Sequence, residues 1–170
     1  MSETVIESVM RRLEDVVLPS EKAVKLKDEA NQYFKDEKYD EAIELYSKGI
    51  ELDPTVAVFY SNRSLAYLRK ELYGLALADA DKAIELDPGY AKAYFRRASA
   101  NMALAKFKMA LKDYDTARKL LPNNRDAQKK HEECQKIVRR MAFEKAIAYN
   151  HKNESIANSI NIDDFGILFV

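Results

Sequence analysis

The chain has 170 residues, of which 33% are charged and 47% are hydrophobic, a composition typical of a folded protein. Its 28 basic and 28 acidic side chains give no net charge, so no overall field attracts nucleic acid, and an anion site must come from a local cluster. A single cysteine excludes an intramolecular disulfide. The sequence shows neither a signal peptide nor an apolar run that could span a membrane, so we expect a cytoplasmic and nuclear protein that binds neither nucleic acid nor membrane.

Residues 1–20 are predicted to be an extension that precedes the main domain. Residues 2–18 have the pattern of an amphipathic helix, with apolar residues at helical spacing between charged ones. Pro19 ends this helix, because a proline disfavours helix in the residue before it, and Ser20 can cap the next helix. Two interpretations stay open: an extension that rests on the first repeat, or a docking element.

Three consecutive segments, residues 23–56, 57–90 and 91–124, align with a period of 34 residues. Each has a small residue at its eighth and twentieth positions and a proline near its end: Ala30, Ser64 and Ala98; Ala42, Ala76 and Ala110; Pro54, Pro88 and Pro122. This period and spacing are the signature of tetratricopeptide repeats. We therefore predict an all-α fold, a right-handed superhelical solenoid with helix pairs at 21–36 and 39–52, 55–70 and 73–86, and 89–104 and 107–120. Such arrays are grooves that bind a ligand, usually a peptide.

One further helix is predicted to close the solenoid. Residues 123–148 carry an apolar stripe formed by Ala127, His131, Cys134, Ile137, Val138, Met141, Ala142 and Ala146. The other face is expected to be exposed and basic, with Arg125, Lys129, Lys130, Lys136, Arg139 and Arg140. Because a repeat array needs a terminal element with one polar face, we place a capping helix at 125–148, the repeat domain at 21–148 and a tail at 149–170. The tail ends in an apolar segment, residues 165–170, that matches no motif.

The first helix of each repeat has two distinguishable faces. Repeat positions 4, 7, 8 and 11 cluster on the core side, and positions 2, 5, 6, 9 and 13 cluster on the side that lines the concave groove, because each residue turns the helix by about 100°. Cations and amides occupy the groove side: Lys27, Asn31 and Lys35, then Asn62 and Arg69, then Lys92 and Arg96. Asparagine is a poor helix former, so its recurrence on this face favours a binding role over chance.

These residues resemble the binding site of one family. Lys27, Asn31, Asn62, Lys92 and Arg96 sit where the two-carboxylate clamp lies in co-chaperone tetratricopeptide domains. Those domains bind the free C-terminal Glu-Glu-Val-Asp ending of the heat-shock chaperones of ninety and seventy kilodaltons. Over about residues 21–162 the chain is most similar to the regulatory N-terminal domain of the protein phosphatase 5 family. The similarity is carried by the runs Leu26–Phe34, Asn62–Arg69, Ala93–Leu104 and Glu133–Ala148.

The resemblance implies how each side chain would bind an acidic C-terminal peptide. Three residues would hold the terminal carboxylate of the last aspartate: Lys27, Asn31 and Asn62. The side-chain carboxylate of that aspartate would be held by Lys92 with Asn31 or Asn62. Upstream glutamates or peptide carbonyls would be reached by Arg69 and Arg96. Apolar atoms that contact the valine would come from Phe34, Tyr60 or Phe95.

The family also implies a catalytic half that this sequence does not contain. The segments Gly-Asp-x-His, Gly-Asp-x-x-Asp-Arg-Gly and Gly-Asn-His-Glu, which supply the two-metal site of such phosphatases, are absent from it. We therefore expect no catalytic residue, no metal and no cofactor, and a binding module for which a phosphatase catalytic domain is a further partner in cis or in trans. Two alternatives stay open: a groove that binds another acidic peptide, or one that binds the chain's own tail.

Overall fold

The computed structural model describes the fold of residues 21–159 and the side chains of residues 21–150. Our predictions for residues 1–20 and 165–170 lie outside the described residues. Between residues 21 and 159 the chain forms seven helices and no strand: α1 over 21–35, α2 Tyr39–Leu52, α3 Ala57–Arg69, α4 Tyr73–Leu86, α5 Ala91–Ala103, α6 Phe107–Leu120 and α7 Arg125–Ser159. Consecutive helices pack against each other, which gives the predicted three helix pairs and a capping helix.

The turn inside each helix pair has the same geometry in all three repeats. A residue with left-handed backbone follows the first helix of each pair: Glu37, Glu71 and Ala105, with φ of 61°, 59° and 56°. The next residue donates its N–H to the carbonyl five positions earlier: Lys38 to Tyr33, Leu72 to Tyr67, and Lys106 to Asn101. This Schellman arrangement satisfies the last carbonyls of a helix and reverses the chain sharply, so the second helix of the pair lies against the first.

Aspartates hold the turns between repeats. The backbone N–H and the hydroxyl of Thr55 donate to Oδ1 of Asp53 at 2.9 and 2.6 Å, and the N–H of Gly89 donates to Oδ1 of Asp87 at 2.9 Å. Because these bonds offer the backbone an alternative to helix, α3 begins at Ala57 and α5 at Ala91, whereas we expected starts at 55 and 89. The other predicted bounds of the helix pairs agree with the structure to within one residue.

Small side chains allow the paired helices to approach closely. All six residues at the eighth and twentieth repeat positions are fully buried, as predicted. A Cβ on Gly49 of α2 would lie 2.3 Å from Cε1 of Phe59, so this position accepts no side chain without a shift of the ring. Overpacking of this kind costs about 1–3 kcal/mol, which offsets the gain of about 1 kcal/mol in helix propensity that alanine would bring.

Arg63 joins three helices through one guanidinium group. Its Nε and Nη2 donate to the two carboxylate oxygens of Asp79 on α4 at 2.7 and 2.8 Å, and its Nη1 donates to the hydroxyl of Ser47 on α2 at 2.8 Å. The hydrogen bond that Arg63 donates to Asp79 raises the pKa of Arg63 above its ordinary value, against the effect of burial. Since Asp79 is buried, the pair fixes how α3 sits between its neighbours.

Arg97, one repeat later, makes the equivalent network. It donates from Nε and Nη2 to the two oxygens of Asp113 on α6 at 2.9 and 2.7 Å, and from Nη1 to Asp81 on α4 at 2.8 Å. Arg63 and Arg97 both occupy the seventh repeat position, which we predicted to face the core. The network is thus part of the repeat architecture and links one helix pair to the next.

The capping helix α7 is longer and less buried than predicted. It continues to Ser159, past residue 148, where we expected it to end. Ala127 and Cys134 are buried as predicted, but the last part of the apolar stripe is wrong, because three of its residues are exposed: Met141, Ala142 and Ala146. The reason is length, since α7 has 35 residues and its partner α6 has 14, so the later turns of α7 extend beyond α6. Among the described residues, no helix is both long and apolar enough to cross a bilayer.

Candidate peptide-binding groove

The groove-side positions of α3 and α5 form one surface in the structure. Leu65 and Arg69 of α3 line a pocket of about 360 Å³ together with Phe95, Arg96 and residues of α4 and α7. A second pocket, of about 180 Å³, lies between α5, α6 and α7. Phe95 and Arg96 contribute to both pockets, so the two pockets are neighbours along α5. Groove-side positions of α3 and α5 therefore line neighbouring concave pockets, whereas Lys27, Asn31 and Asn62 line neither of the two.

Asn31 and Asn62 are in direct contact across two repeats. The Nδ2 of Asn62 donates to Oδ1 of Asn31 at 3.2 Å, and the hydroxyl of Tyr46 donates to the same oxygen at 2.7 Å. Burial raises the pKa of Tyr46 to about 12, so at neutral pH the hydroxyl keeps its proton and remains a donor. Because Oδ1 of Asn31 accepts two hydrogen bonds, its Nδ2 is the group that it can offer to a carboxylate.

Lys27 lies one helical turn before Asn31 on α1, so the two side chains lie on the same face. Its Nζ is 3.5 Å from Oδ1 of Asp28, and the two side chains are 36% and 65% exposed. An exposed ion pair of this kind contributes at most about 1 kcal/mol. A ligand carboxylate can therefore compete with Asp28 for Lys27.

Lys92 and Arg96 are also one turn apart and share the wall of the 180 Å³ pocket with Asp126. The Nε of Arg96 is buried and has no hydrogen-bond partner among the described residues. Burial lowers the pKa of Arg96; Tyr90 and Asp126 act in the opposite direction, and the nearby charge of Arg69 lowers it further. A desolvated cation beside a second cation favours an anion in the groove.

Cations from three helices meet at the 360 Å³ pocket: Arg69, Arg96 and Lys130. We had assigned Lys130 to the exposed face of the capping helix, and this was wrong, because its half-exposed side chain lines the pocket. A hydrogen bond with Glu133, at 3.0 Å, raises the pKa of Lys130. The sequence did hold a signal: Lys130 lies three residues after Ala127 and four before Cys134, so it shares the side of α7 that packs on the stack.

The aromatic residues expected to contact the ligand differ in their surroundings. Phe95 lines both pockets and packs edge-on against Tyr114, with ring centroids 5.3 Å apart. Phe34 packs against the first core cluster, and Tyr60 is buried in another. Among these three candidates, Phe95 is the one that both pockets expose to a ligand.

The groove therefore combines amide, ammonium and guanidinium donors with an apolar floor. Asn31 and Asn62 are brought together, Lys92 lies beside Arg96, and Arg96 lies beside Arg69. Guanidinium groups bind carboxylates through paired, charge-assisted hydrogen bonds, and ammonium groups add point charges. The chemistry of this surface suits a ligand with several carboxylates.

Three family models match parts of the chain. A TPR repeat model matches residues 30–71, a tetratricopeptide repeat model matches residues 57–90, and a model described as the PPP5 TPR repeat region matches residues 131–168. The last match includes most of α7, which lies outside the three 34-residue segments. Most of the first repeat, the second repeat and most of the capping helix are thus matched by family models.

Curated relatives are identical to this chain at about half of the aligned positions, and the alignments cover most of this chain. Serine/threonine-protein phosphatase 5 of Rattus norvegicus is 52% identical over 146 residues, which cover 86% of this chain and 29% of the relative. Serine/threonine-protein phosphatase T of Schizosaccharomyces pombe is 57% identical over 148 residues, which cover 87% of this chain and 31% of the relative. The chain therefore spans less than a third of the length of either protein.

Solved structures with the same fold include domains bound to peptides. The first TPR of Spaghetti (RPAP3), bound to the HSP90 peptide SRMEEVD, is 41% identical with a TM-score of 0.67, and the match covers 70% of this chain and 94% of that domain. The second TPR domain of human RPAP3, in complex with the HSP70 peptide SGPTIEEVD, is 38% identical with a TM-score of 0.65, covering 69% and 98%. The chain belongs to the tetratricopeptide-repeat family, and its repeat region is of the protein phosphatase 5 type.

Proposed function

We propose that this chain is a protein–protein interaction module whose groove binds the acidic C-terminal peptide of heat shock protein 90 through a two-carboxylate clamp. The observation that carries the proposal is that Arg96 lines both pockets while its buried Nε has no hydrogen-bond partner among the described residues. The contact between Asn31 and Asn62 supports the proposal with amide groups at groove-side positions of α1 and α3. Support comes from two similar domains that hold HSP90 and HSP70 peptides, both ending in Glu-Glu-Val-Asp. The tail of the seventy-kilodalton chaperone is therefore a second proposed ligand.

In the proposed complex, the last aspartate of the ligand presents two carboxylates to the groove. Its terminal carboxylate is held by Lys27, Asn31 and Asn62. Its side-chain carboxylate is held by Lys92 with Asn31 or Asn62. Upstream glutamates or peptide carbonyls are reached by Arg69 and Arg96. The hydroxyl of Tyr46 supports this arrangement, since it holds the Asn31 amide with its N–H₂ group available to the ligand.

A five-residue ligand on a shallow groove should bind with micromolar affinity, about −7 to −8 kcal/mol. Replacing Lys92→Ala should weaken binding of a Met-Glu-Glu-Val-Asp peptide by about tenfold or more, because a carboxylate of the ligand is then left without its cation. The matched control is Lys48→Ala on α2, an exposed lysine that lines neither pocket. Calorimetric titration of both variants checks this, and normal affinity of the Lys92→Ala variant would sink the clamp assignment.

We also infer that the chain binds peptide without hydrolysing phosphate, and that a phosphatase catalytic domain is a further partner in cis or in trans. The inference is supported by the similarity to phosphatases, of which this chain matches less than a third, and by the absence of the three metal-site segments from the printed sequence. An assay of the purified chain with p-nitrophenyl phosphate and manganese should show no turnover above buffer. Turnover that stays with the protein through successive purification steps would contradict this.

The proposed partners also lead us to propose a location. We propose that the chain resides in the cytoplasm and the nucleus, in line with its composition. Imaging of a fluorescently tagged chain is the measurement, and accumulation in a secretory compartment would contradict the proposal.

A further inference from the structure

We infer that Lys130, with Arg69 and Arg96, forms a second anion subsite that holds an acidic side chain of the ligand upstream of its C-terminal residue. This inference rests on the proposed function. It adds a residue of the capping helix, outside the repeat units, to the binding surface. The proposed function already places Arg69 and Arg96 near the ligand's upstream acidic residues; the inference adds Lys130 and commits the three cations to a glutamate side chain.

The composition of the 360 Å³ pocket carries the inference. Its three charged lining residues are all cations, and they come from α3, α5 and α7: Arg69, Arg96 and Lys130. Ser99 and the apolar side chains of Leu65 and Phe95 also line this pocket. Cations around an apolar floor suit a glutamate, whose methylene groups can lie on the floor while its carboxylate meets the charges.

No anionic side chain of the described residues lines this pocket; Asp126, whose charge acts favourably on Arg96, lines the neighbouring 180 Å³ pocket. Arg96 is largely enclosed, its Nε has no hydrogen-bond partner there, and the charge of Arg69 acts on it unfavourably. Lys130 has a partner, Glu133, but the two residues lie three positions apart on α7, and both side chains are 44% exposed. Exposed pairs of this kind are weak, so Lys130 can turn from Glu133 to a ligand without a large loss.

The distance along α5 between the clamp and the subsite indicates which ligand residue reaches the subsite. Lys92, in the clamp, and Ser99, at the subsite, are seven residues apart, which is about 10 Å along a helix axis. An extended peptide advances about 3.3 Å per residue. The subsite therefore lies two to three ligand residues upstream of the terminal aspartate, where a Glu-Glu-Val-Asp ending has its two glutamates.

The test compares two peptides and two lysine variants of the full chain by calorimetric titration. The peptides are Met-Glu-Glu-Val-Asp and Met-Gln-Gln-Val-Asp, which share the terminal aspartate and differ in the upstream charges. The variants are Lys130→Gln and Lys129→Gln, which remove the same charge from adjacent residues of α7. Lys129 is the matched control because it is exposed and does not line the pocket.

We expect Lys130→Gln to weaken binding of the glutamate peptide by about three- to tenfold. It should change the affinity for the glutamine peptide by less than about twofold. Lys129→Gln should change neither affinity by more than about twofold. Equal losses of affinity in the two variants would show a general charge effect, and no loss of affinity in Lys130→Gln would show that Lys130 does not contact the ligand. Either result overturns the subsite. The proposed function would still stand if the unaltered chain binds the glutamate peptide tightly. Failure of the unaltered chain to bind either peptide would overturn the proposed function, and the subsite with it.

Discussion

Arg96 and Arg97 are neighbours on α5, yet the two side chains lie in opposite electrostatic situations. Arg97 faces the helix pairs, where all three of its donor nitrogens are bonded to the carboxylates of Asp113 and Asp81. The hydrogen bonds that Arg97 donates to Asp113 raise the pKa of Arg97. Arg96 faces the groove, where burial lowers its pKa and its Nε has no partner among the described residues. Arg97 is therefore paired with carboxylates of the fold itself, whereas Arg96 has a donor that is available for a ligand.

The same division separates the two regions of the molecule to which these arginines belong. In the interior, Arg63 repeats the network of Arg97 with Asp79 and Ser47, so the pattern recurs with the repeat. In the groove, the Nδ2 of Asn31 and the Nε of Arg96 are donors that form no side-chain hydrogen bond with another described residue. The interior networks should therefore contribute to stability and the groove residues to binding, and each variant below is expected to change one property much more than the other.

The largest expected effect is on stability, in the Asp113→Ala variant. Removing this buried carboxylate takes two hydrogen bonds from Arg97, and breaking a buried ion pair in this way costs about 3 kcal/mol or more. Urea unfolding followed by circular dichroism measures the loss. Peptide affinity of the folded variant should be unchanged; a loss of stability below about 1 kcal/mol, or a large loss of affinity, would erase the distinction between the two regions.

The next effect is on binding, in the Arg96→Met variant. Methionine keeps the apolar stem but removes the charge, so affinity for the Met-Glu-Glu-Val-Asp peptide should fall by about 2 kcal/mol, or roughly thirtyfold. The free energy of unfolding measured in urea should fall by less than about 0.5 kcal/mol, or it should rise. The reason is that the substitution removes a buried cation whose Nε has no hydrogen-bond partner among the described residues. If stability fell by as much as in Asp113→Ala, then Arg96 would belong to the fold rather than to the groove.

A smaller effect is expected for Tyr46→Phe, at the boundary between the two regions. The lost hydroxyl donates from the interior to Oδ1 of Asn31 in the groove. We expect losses of about 1 kcal/mol in both the free energy of unfolding and the free energy of binding, because the hydrogen bond is broken and the Asn31 amide is freed to turn. Urea unfolding and calorimetry on the same preparation check both numbers. A loss in stability with unaltered affinity would mean that Tyr46 does not orient the clamp.

The smallest effect concerns Asp115, two residues from Asp113 but on the surface. Hydrogen bonds from Lys119 and then Arg118 lower the pKa of Asp115. A lowered folded-state pKa gives stability that is present above the ordinary carboxyl pKa and is lost as the pH falls through the lowered value. Because solvent screens these charges, Asp115→Asn should cost less than about 1 kcal/mol at pH 7, and the stabilities of the variant and the unaltered chain should converge once the pH falls below the lowered pKa of Asp115. A difference that persists in acid would point to packing instead of charge.

The sequence predicts the division between the faces of α5 well. Repeat positions 6 and 7 assign Arg96 to the groove and Arg97 to the core side, because a helical period and a 34-residue repeat together fix the orientation of each residue. The bounds of the six helices in the repeats follow from the same two regularities, apart from the starts of α3 and α5, which the Asp-held turns shift by two residues. The six residues assigned to peptide binding remain a prediction.

Other features depend on contacts that no local pattern encodes. Tyr46 belongs to a buried core cluster, yet its hydroxyl donates a hydrogen bond to Asn31, 15 residues away in the sequence. Lys130 was placed on the solvent face because α7 was judged alone, and only its packing against the repeats directs that side chain to the groove. Met141, Ala142 and Ala146 of α7 were wrongly predicted to be buried, because the sequence pattern of a helix does not state where its partner helix ends.

The central claim, that the unused donors of the groove bind the carboxylates of a C-terminal aspartate, is tested most directly by one titration. The full chain is titrated calorimetrically with Met-Glu-Glu-Val-Asp as the free acid and with the same peptide amidated at its C-terminus. We predict micromolar binding of the free acid and no measurable binding of the amide, because amidation removes one of the two carboxylates that the clamp holds. Equal binding of the two peptides, or binding of neither, would contradict the claim.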